Sequence, residues 1–311
     1  MSLLSLLKGR GPSGFGYGST AQEVTEGLPL TGKLVVVTGI TSGIGHESAR
    51  VLALRGARVF GTARTVERAR AALAPFGGDT VPFACELEDP ASVRACVAAI
   101  KEACASAGKK IDAILCNAGV MAVAERELVH GVEKQFFTNH IGHFLLVTGL
   151  LEVLSDHGRV VMTSSGAHKR APKGGIVFDD LACEGSYSPF LAYGQSKMAN
   201  IHFAKELARR FAAAGTQQKA YAVHPGVIAT SLGRHMPAVG RFLLSIGKPL
   251  VLKSEAEGAA TQVLCAVHPW VEDKSGAYFA DCNIATPRPD AEDAAISQRL
   301  WEVSEQIGAR I

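Results

Sequence analysis

A tyrosine and a lysine four residues apart, Tyr193 and Lys197, are the side chains of this sequence best suited to proton transfer. On a helix, a spacing of four places both side chains on one face, one turn apart. A phenol is a poor base at neutral pH, and a neighbouring ammonium favours the phenolate, so the pair predicts a lowered pKa for Tyr193. Alone the spacing is weak, because solvated helix faces carry many such pairs.

Two further polar positions could take part in the same chemistry. Ser165 follows Ser164 at the end of an apolar run over residues 159–163, which predicts a strand. Open α/β sheets bind their ligands at the carboxyl ends of strands, so Ser165 is a candidate to contact a substrate. Asn139 lies within a predicted helix, where an asparagine can also simply cap or kink the helix.

A turn with three glycines separates an apolar run at residues 33–38 from a helical pattern at 43–55. Glycine allows a tight turn and lets a pyrophosphate approach the helix N terminus, where the macrodipole favours negative charge. A glycine triplet can be merely structural, but its place between a strand and a helix favours a dinucleotide site. The candidate binding residues of this turn are Gly39, Thr41, Ser42, Gly43, Ile44 and Gly45.

The elements that must position these residues alternate along the chain. Strands are predicted at residues 33–38, 57–63, 81–85, 111–116, 159–163, 219–224 and near Tyr278. Helices are predicted at residues 43–55, 66–73, 90–107, 128–154, 191–214 and 254–267, with a last helix at the C terminus. This alternation predicts an α/β fold, a single-domain doubly wound (Rossmann) parallel sheet with helices on both faces.

The domain organisation predicted from this pattern is one domain with two excursions. Residues 1–30 form an N-terminal arm, and residues 31–311 form the α/β domain. An irregular segment at about 226–253 is predicted to cover the substrate. Apolar side chains in this segment favour a lipophilic substrate, with packing on the core as the alternative. They are Phe242, Leu243, Leu244, Ile246 and Leu250.

The glycine spacing, combined with the tyrosine and the lysine, resembles the short-chain dehydrogenase/reductase family over about residues 30–280. Asn117-Ala118-Gly119 is similar to the family's turn beside the cofactor, and Pro225-Gly226 with Thr230 resembles its turn against the nicotinamide. Glu86 stands where the family commonly has an aspartate toward the adenine, so that contact is in doubt and the amide of Leu87 could still serve. The resemblance implies a nicotinamide dinucleotide cofactor and a small carbonyl or alcohol substrate.

The resemblance also implies a role for each acid–base residue. Ser165 would hydrogen-bond the substrate oxygen, Tyr193 would transfer the proton, and Lys197 would hold the ribose. Lys197 and the cationic nicotinamide together would lower the pKa of Tyr193. Asn139 would hold a water that continues the proton path. The sequence around Asn139 and the long interval before Tyr193 are similar to the retinol-dehydrogenase-like branch, whereas the arm resembles chloroplast-envelope relatives. A cofactor-binding sensor or scaffold with little turnover is the alternative, and the complete residue set argues against it.

The end of the second predicted strand bears on the choice of dinucleotide. Ala63 occupies the position where NAD-using relatives carry an aspartate, and Arg64 follows it. A guanidinium can hold a 2′-phosphate by two charge-assisted hydrogen bonds, so the sequence predicts NADP(H). The alternative is that Arg64 only faces solvent beside Glu67.

Composition bounds the partners and the compartment. The 32 Lys and Arg residues against 29 Asp and Glu give a net charge of +3, which predicts no nucleic-acid partner. Seven cysteines without a Cys-x-x-Cys pair predict neither disulfides nor a metal site and favour a cytoplasmic protein. The apolar patch at residues 3–7 is too short to span a membrane, which leaves weak peripheral contact open. A homodimer is left open, and the other histidines, with His140, His143 and His168 among them, are interpreted as structural.

Overall fold

The structure is a computed structural model that describes residues 9–228 and 252–311. Several predicted positions lie outside the described residues. They are Thr230 of the nicotinamide turn and, in the covering segment, Phe242, Leu243, Leu244, Ile246 and Leu250.

The strands of the described residues form one large sheet and one small hairpin. They are β1 (Leu34–Thr38), β2 (Arg58–Ala63), β3 (Thr80–Ala84), β4 (Ile111–Cys116), β5 (Leu128–Val129), β6 (Val132–Glu133), β7 (Leu154–Thr163), β8 (Lys219–His224), β9 (Tyr278–Ala280) and β10 (Asn283–Ile284). The large sheet has the order β10-β9-β8-β7-β4-β1-β2-β3, and β5 pairs with β6. Its neighbours are parallel except for β10, which pairs with β9 antiparallel. The predicted doubly wound α/β fold is confirmed.

The helices lie on both faces of this sheet. They are α1 (Gly43–Leu54), α2 (Val66–Leu73), α3 (Pro90–Ala107), α4 (Lys134–Phe136), α5 (Gly142–Leu150), α6 (Pro189–Ala213), α7 (Glu255–Val267) and α8 (Ala294–Arg310). One buried cluster contains Phe60, Phe136 and Phe203, and a second contains Leu52, Tyr221 and Phe279. Two separate clusters are expected when a sheet is covered on both faces.

Local sequence signals explain where most helices begin. Asp89 caps α3 by accepting a hydrogen bond from the Ala91 amide, and Pro90 follows it in the first helical position. Ser254 and Glu257 form a reciprocal capping box at the start of α7. These are the boundaries that the residue pattern predicts best, because the caps are local.

The helix predicted over residues 128–154 is wrong at both ends. Residues 128–133 form the β5–β6 hairpin, since His130 and Gly131 take the positive φ angles of +49° and +78° that a tight two-residue turn needs. A π-helix, Phe137–Ile141, then interrupts the helical stretch between α4 and α5. Strand β7 begins at Leu154, five residues before the predicted start at position 159.

The described part of the arm packs onto the domain. Tyr17, Ala21, Val24 and Leu30 are buried, and the Ala21 amide donates to the carbonyl of Ala256 in α7. This hydrogen bond joins the arm to α7, the helix that comes after the segment predicted to cover the substrate. Across residues 9–228 and 252–311, no helix has the length and apolar character needed to cross a membrane.

Candidate active site

Tyr193 and Lys197 lie one turn apart on α6, and both side chains are buried beside the end of β7. The Lys197 ammonium donates to the carbonyl of Thr163 at 3.0 Å and lies 5.6 Å from the centre of the Tyr193 ring. The carbonyl of Thr163 also accepts from the Asn200 amide at 3.0 Å. The last residue of β7 therefore fixes the lysine beside the tyrosine.

The pKa values of the pair are governed by burial. Burial raises the pKa of Tyr193 to about 12, and a hydrogen bond with Ser165 opposes this rise. In the chain alone the pKa of Tyr193 is thus raised rather than lowered, because removing a phenolate from water costs more than that contact returns. The predicted lowering also depends on the positive charge of the nicotinamide, and it stays a prediction for the cofactor-bound protein. Burial also lowers the pKa of the Lys197 ammonium, to about 8.

Ser165 is the second residue after β7, and its hydroxyl faces Tyr193. Its Oγ accepts a hydrogen bond from the Ala167 amide at 3.2 Å, which fixes the side chain at the start of a short 3-10 turn. The neighbouring Ser164 has a different partner, since its hydroxyl donates to the carbonyl of Lys197 at 2.7 Å. Ser165 is thus the serine that faces the tyrosine, and Ser164 ties β7 to α6.

Asn139 lies in the π-helix, a distortion that occurs frequently at functional sites. Its Oδ1 accepts from the Val120 amide at 2.8 Å, and its Nδ2 donates to the Val120 carbonyl and the Ser196 hydroxyl, each at 2.9 Å. A Cβ at Gly119 would come within 2.7 Å of Asn139 Oδ1 and 3.5 Å of Lys197 Nζ. The π-helix, the Asn-Ala-Gly turn and α6 therefore meet at one point.

The glycine turn leads from β1 into α1 as predicted. Gly39 and Gly43 have φ angles of +72° and +66°, which side chains disfavour. A Cβ at Gly45 would lie 2.4 Å from the carbonyl oxygen of Gly39. Within the described residues, the Ser42 side chain does not cap α1, although Thr65 and Asp89 cap the next two helices. The first turn of α1, which includes Ile44, is therefore suited to bind a ligand through its backbone amides. Thr41, just before this turn, is exposed.

Asn117 and Ala118 join β4 to the end of β1. Both amides donate to the Thr38 hydroxyl, at 2.9 and 3.0 Å, and Asn117 Nδ2 donates to the Thr38 carbonyl at 3.0 Å. The Asn117 Oδ1 is buried and has no hydrogen-bond partner among the described residues. Buried acceptors are normally paired, so this oxygen fits a site completed by a polar ligand such as a dinucleotide.

Arg64 and Glu86 face each other at the ends of β2 and β3. Arg64 Nε lies 3.3 Å from Glu86 Oε2, and their side chains are 61% and 32% exposed. The sequence alternative places Arg64 in solvent beside Glu67. In the structure the Arg64 side chain is exposed, but the carboxylate that it pairs with is Glu86. Leu87 is buried, and its carbonyl packs against Gly142 at the start of α5, where a Cβ would lie 2.5 Å away.

The Pro225-Gly226 turn follows β8, which ends at His224. Gly226 has a φ of +95°, and a Cβ there would lie 2.7 Å from Cδ of Lys253. The Lys253 ammonium is buried, pairs with Asp281 at 2.7 Å and lies 4.6 Å from the centre of the Tyr17 ring. The turn is therefore enclosed by a charged side chain that the arm and the β9–β10 connection hold in position.

Two buried residues outside the predicted site connect these parts, and one of them is a histidine that the sequence analysis interprets as structural. His143 donates from Nδ1 to the Asn139 carbonyl at 3.0 Å, and its Nε2 accepts from the Thr38 hydroxyl at 2.9 Å. Gln262 accepts from Thr163 at 3.1 Å and donates to Ser48 of α1 at 2.6 Å. The spacing of four between Asn139 and His143 is a local signal for the hydrogen bond between them. The contacts of Gln262 join distant parts of the chain, so only the fold shows them.

The chain matches the family model described as short chain dehydrogenase over residues 33–238. It is 40% identical over 291 residues to human retinol dehydrogenase 12, an alignment that covers 91% of this chain and 89% of that protein. It is 36% identical over 316 residues to the Brassica napus protein named short-chain dehydrogenase TIC 32 A, chloroplastic, with 98% of each chain covered.

Solved structures share the fold of this chain. A crystal structure of an uncharacterized protein from Mycobacterium paratuberculosis superposes with a TM-score of 0.74 at 32% identity, covering 92% of this chain and 97% of that one. A short chain dehydrogenase from Burkholderia cenocepacia in complex with NADP shares the fold, with a TM-score of 0.63 at 24% identity and coverage of 82% and 98%. The chain belongs to the short-chain dehydrogenase family of oxidoreductases, and among its relatives it is similar to the retinol dehydrogenases.

Proposed function

We propose that this protein is an NADP(H)-dependent oxidoreductase that transfers a hydride between the nicotinamide and a lipophilic carbonyl or alcohol. The observation that carries the proposal is the convergence of Ser165, Tyr193, Lys197 and Asn139 at the carboxyl ends of β4 and β7. An open α/β sheet binds its ligand at this edge.

The glycine turn and the Asn-Ala-Gly turn supply the cofactor site in this proposal. The amides of the first turn of α1 would hold the pyrophosphate, and the Asn117 Oδ1, which has no partner among the described residues, would accept from a polar group of the dinucleotide. Glu86 and Leu87 would lie toward the adenine, and Pro225-Gly226 toward the nicotinamide. When bound, the dinucleotide supplies or accepts the hydride.

Proton transfer falls to Tyr193. During reduction its hydroxyl donates a proton to the substrate oxygen, which the Ser165 hydroxyl also holds by a hydrogen bond. A pKa raised to about 12 keeps Tyr193 protonated at neutral pH, which suits it to act as the acid in reduction. Lys197 would hold the ribose hydroxyls and stabilise the phenolate that forms. Asn139 keeps the adjoining loop in position through Val120, and it would support a water that returns the proton to Tyr193.

A lipophilic substrate is supported by apolar side chains that remain exposed near this edge. Leu191, two residues before Tyr193, is 44% exposed, and Val227, directly after Gly226, is 51% exposed. Apolar walls select apolar ligands. The similarity to a protein named retinol dehydrogenase 12 supports the same substrate class.

The test is a cofactor-absorbance assay with NADPH over a panel of carbonyls, from small hydrophilic aldehydes to retinoid-, steroid- and aromatic-sized compounds. We expect turnover that favours the large apolar carbonyls. Turnover that favours small hydrophilic aldehydes would contradict the substrate class. Cofactor binding with no turnover of any carbonyl would instead favour the alternative function, a cofactor-binding sensor or scaffold.

Partners and compartment remain predictions. A cytoplasmic location, weak peripheral membrane contact and a homodimer are all compatible with the chain, and one relative is named chloroplastic.

A further inference from the structure

His224 is the last residue of β8, and its ring lies between two turns at the carboxyl edge of the sheet. Its Nδ1 accepts a hydrogen bond from the Gly166 amide at 3.1 Å and a second, longer one from the Gly226 amide at 3.4 Å. Gly166 directly follows Ser165, and Gly226 belongs to the turn that borders the nicotinamide in the proposed function. One ring nitrogen therefore holds both sides of the reaction site.

Both turns are closely packed. A Cβ at Gly166 would lie 3.3 Å from His224 Nε2, so the ring packs directly against the serine turn. At the second turn, a Cβ at Gly226 would lie 2.7 Å from Cδ of Lys253. The imidazole of His224 is bonded to an amide of each turn and so joins them.

A second histidine, His168, also holds the Ser165–Gly166 turn. His168 Nδ1 donates to the carbonyl of Ser165 at 2.7 Å, and its Nε2 accepts from the Arg288 amide at 3.2 Å. His168 therefore fixes the carbonyl of Ser165, whereas His224 fixes the next amide in the chain. Among these two histidines, only His224 reaches the Pro-Gly turn.

His224 must be neutral to accept at Nδ1, and these bonds assign its proton to Nε2. Burial lowers its pKa to about 4, with Asp281 opposing this shift and Lys253, His168 and Lys169 adding to it. The acceptor is therefore present at neutral pH.

We propose that His224 is a positioning residue: through Nδ1 it holds the Ser165–Gly166 turn at a fixed distance from the Pro225–Gly226 turn. It thereby sets the approach of the substrate oxygen to the nicotinamide, an inference that rests on the proposed function. Displacements of about 1 Å at a reacting centre can cost about 100-fold in rate.

A matched set of three variants tests this role. His224→Asn keeps an acceptor, its Oδ1, where the ring has Nδ1, whereas His224→Leu has nearly the same size as asparagine and no acceptor. His224→Gln carries its acceptor one bond further out. We expect kcat/KM for carbonyl reduction to fall by about 10- to 100-fold in the leucine and glutamine variants and by less than about fivefold in the asparagine variant. NADPH affinity, measured by fluorescence titration, should change less than kcat in all three.

Amide hydrogen exchange supplies a readout that is independent of turnover. Exchange in peptides covering Gly166 and Gly226 should accelerate in His224→Leu and stay near wild type in His224→Asn. If His224→Leu does not fold, the asparagine and glutamine pair makes the same comparison. Equal activity in the asparagine variant and in the leucine or glutamine variant, with an active wild type, would overturn the inference alone. A wild type that reduces no carbonyl would overturn the proposed function, and this inference with it.

Discussion

Two regions along the carboxyl edge of the sheet use different kinds of polar contact: the exposed end, at β2 and β3, and the buried end, at β7 and α6. At the β2–β3 end, Arg64 and Glu86 are 61% and 32% exposed and meet as an ion pair in solvent. At the β7–α6 end, Tyr193, Lys197 and Asn139 are 5%, 3% and 0% exposed, and neutral groups hold the lysine and the asparagine. Exposed charges can exchange partners at little cost, whereas buried groups cannot. The first end is therefore suited to selecting a dinucleotide, and the second to holding a fixed geometry.

The largest effect should come from the buried end. Tyr193→Phe removes one hydroxyl and little volume, and we expect kcat to fall by about 10² to 10⁴, the contribution of a general acid or base. NADPH binding, measured by fluorescence, should stay nearly unchanged, because the ring is kept. A variant that retains more than about a tenth of wild-type turnover would contradict the role of Tyr193.

The exposed end should control coenzyme choice more modestly. In the double variant Ala63→Asp with Arg64→Ser, the preference for NADPH over NADH should fall by about tenfold to 100-fold, corresponding to about 1.5–3 kcal/mol for a hydrogen bond to a charged group. The measurement is the ratio of kcat/KM with the two dinucleotides. The single variant Arg64→Ser is the control that separates the loss of the guanidinium from the new carboxylate. Wild type that prefers NADH would refute the assignment of Arg64.

A pH profile tests the buried end without a loss of side-chain volume. Lys197 acts as the ammonium, and burial lowers its pKa to about 8, so its charge is lost as the pH rises through that value. We expect kcat/KM for reduction to be level below about pH 8 and to fall by about tenfold per pH unit above it. Lys197→Arg keeps the charge at all these values, so the alkaline fall should disappear even if overall activity is lower. An identical fall in both proteins would assign it to another group.

The smallest effect should come from releasing Arg64. Glu86→Gln keeps the size of the side chain and removes the charge that pairs with Arg64. Exposed ion pairs contribute about 0.2–1 kcal/mol, so NADPH should bind about 1.4- to fivefold more tightly, while NADH binding should be unaffected. Titration of both dinucleotides against wild type and variant measures the difference. Tighter binding of both would point to an effect on the adenine instead.

The parts of the fold that follow from the sequence are those with local causes. The apolar run of β1 and the cap at Asp89 with Pro90 specify their elements from adjacent residues, and α3 has the bounds that were predicted. The hairpin at residues 128–133 does not follow from the sequence, because Leu128 and Val132 keep a helical spacing of four across the turn at His130 and Gly131. Secondary structure was therefore least predictable where one tight turn overrides the periodicity.

The chemistry of the candidate site shows the same division. The spacing of Tyr193 and Lys197 correctly predicts that they lie together, because α6 is one continuous helix. The direction of the Tyr193 pKa does not follow from spacing, since it depends on burial by distant elements. The partner of Arg64 was also missed, because Glu86 is brought to it only by the pairing of β2 with β3.

The arm that encloses the Pro-Gly turn also has a consequence for association between molecules. Its backbone is bonded to Asn283 of the edge strand β10, where the Ser13 amide donates to Oδ1 at 3.0 Å and Nδ2 donates to the Phe15 carbonyl at 2.9 Å. The opposite edge strand, β3, contains Pro82, whose nitrogen has no hydrogen to offer. Exposed strand edges are templates for aggregation. The arm lies against β10, and Pro82 removes one backbone donor from β3, so both edges are less suited to pairing with a strand from another molecule.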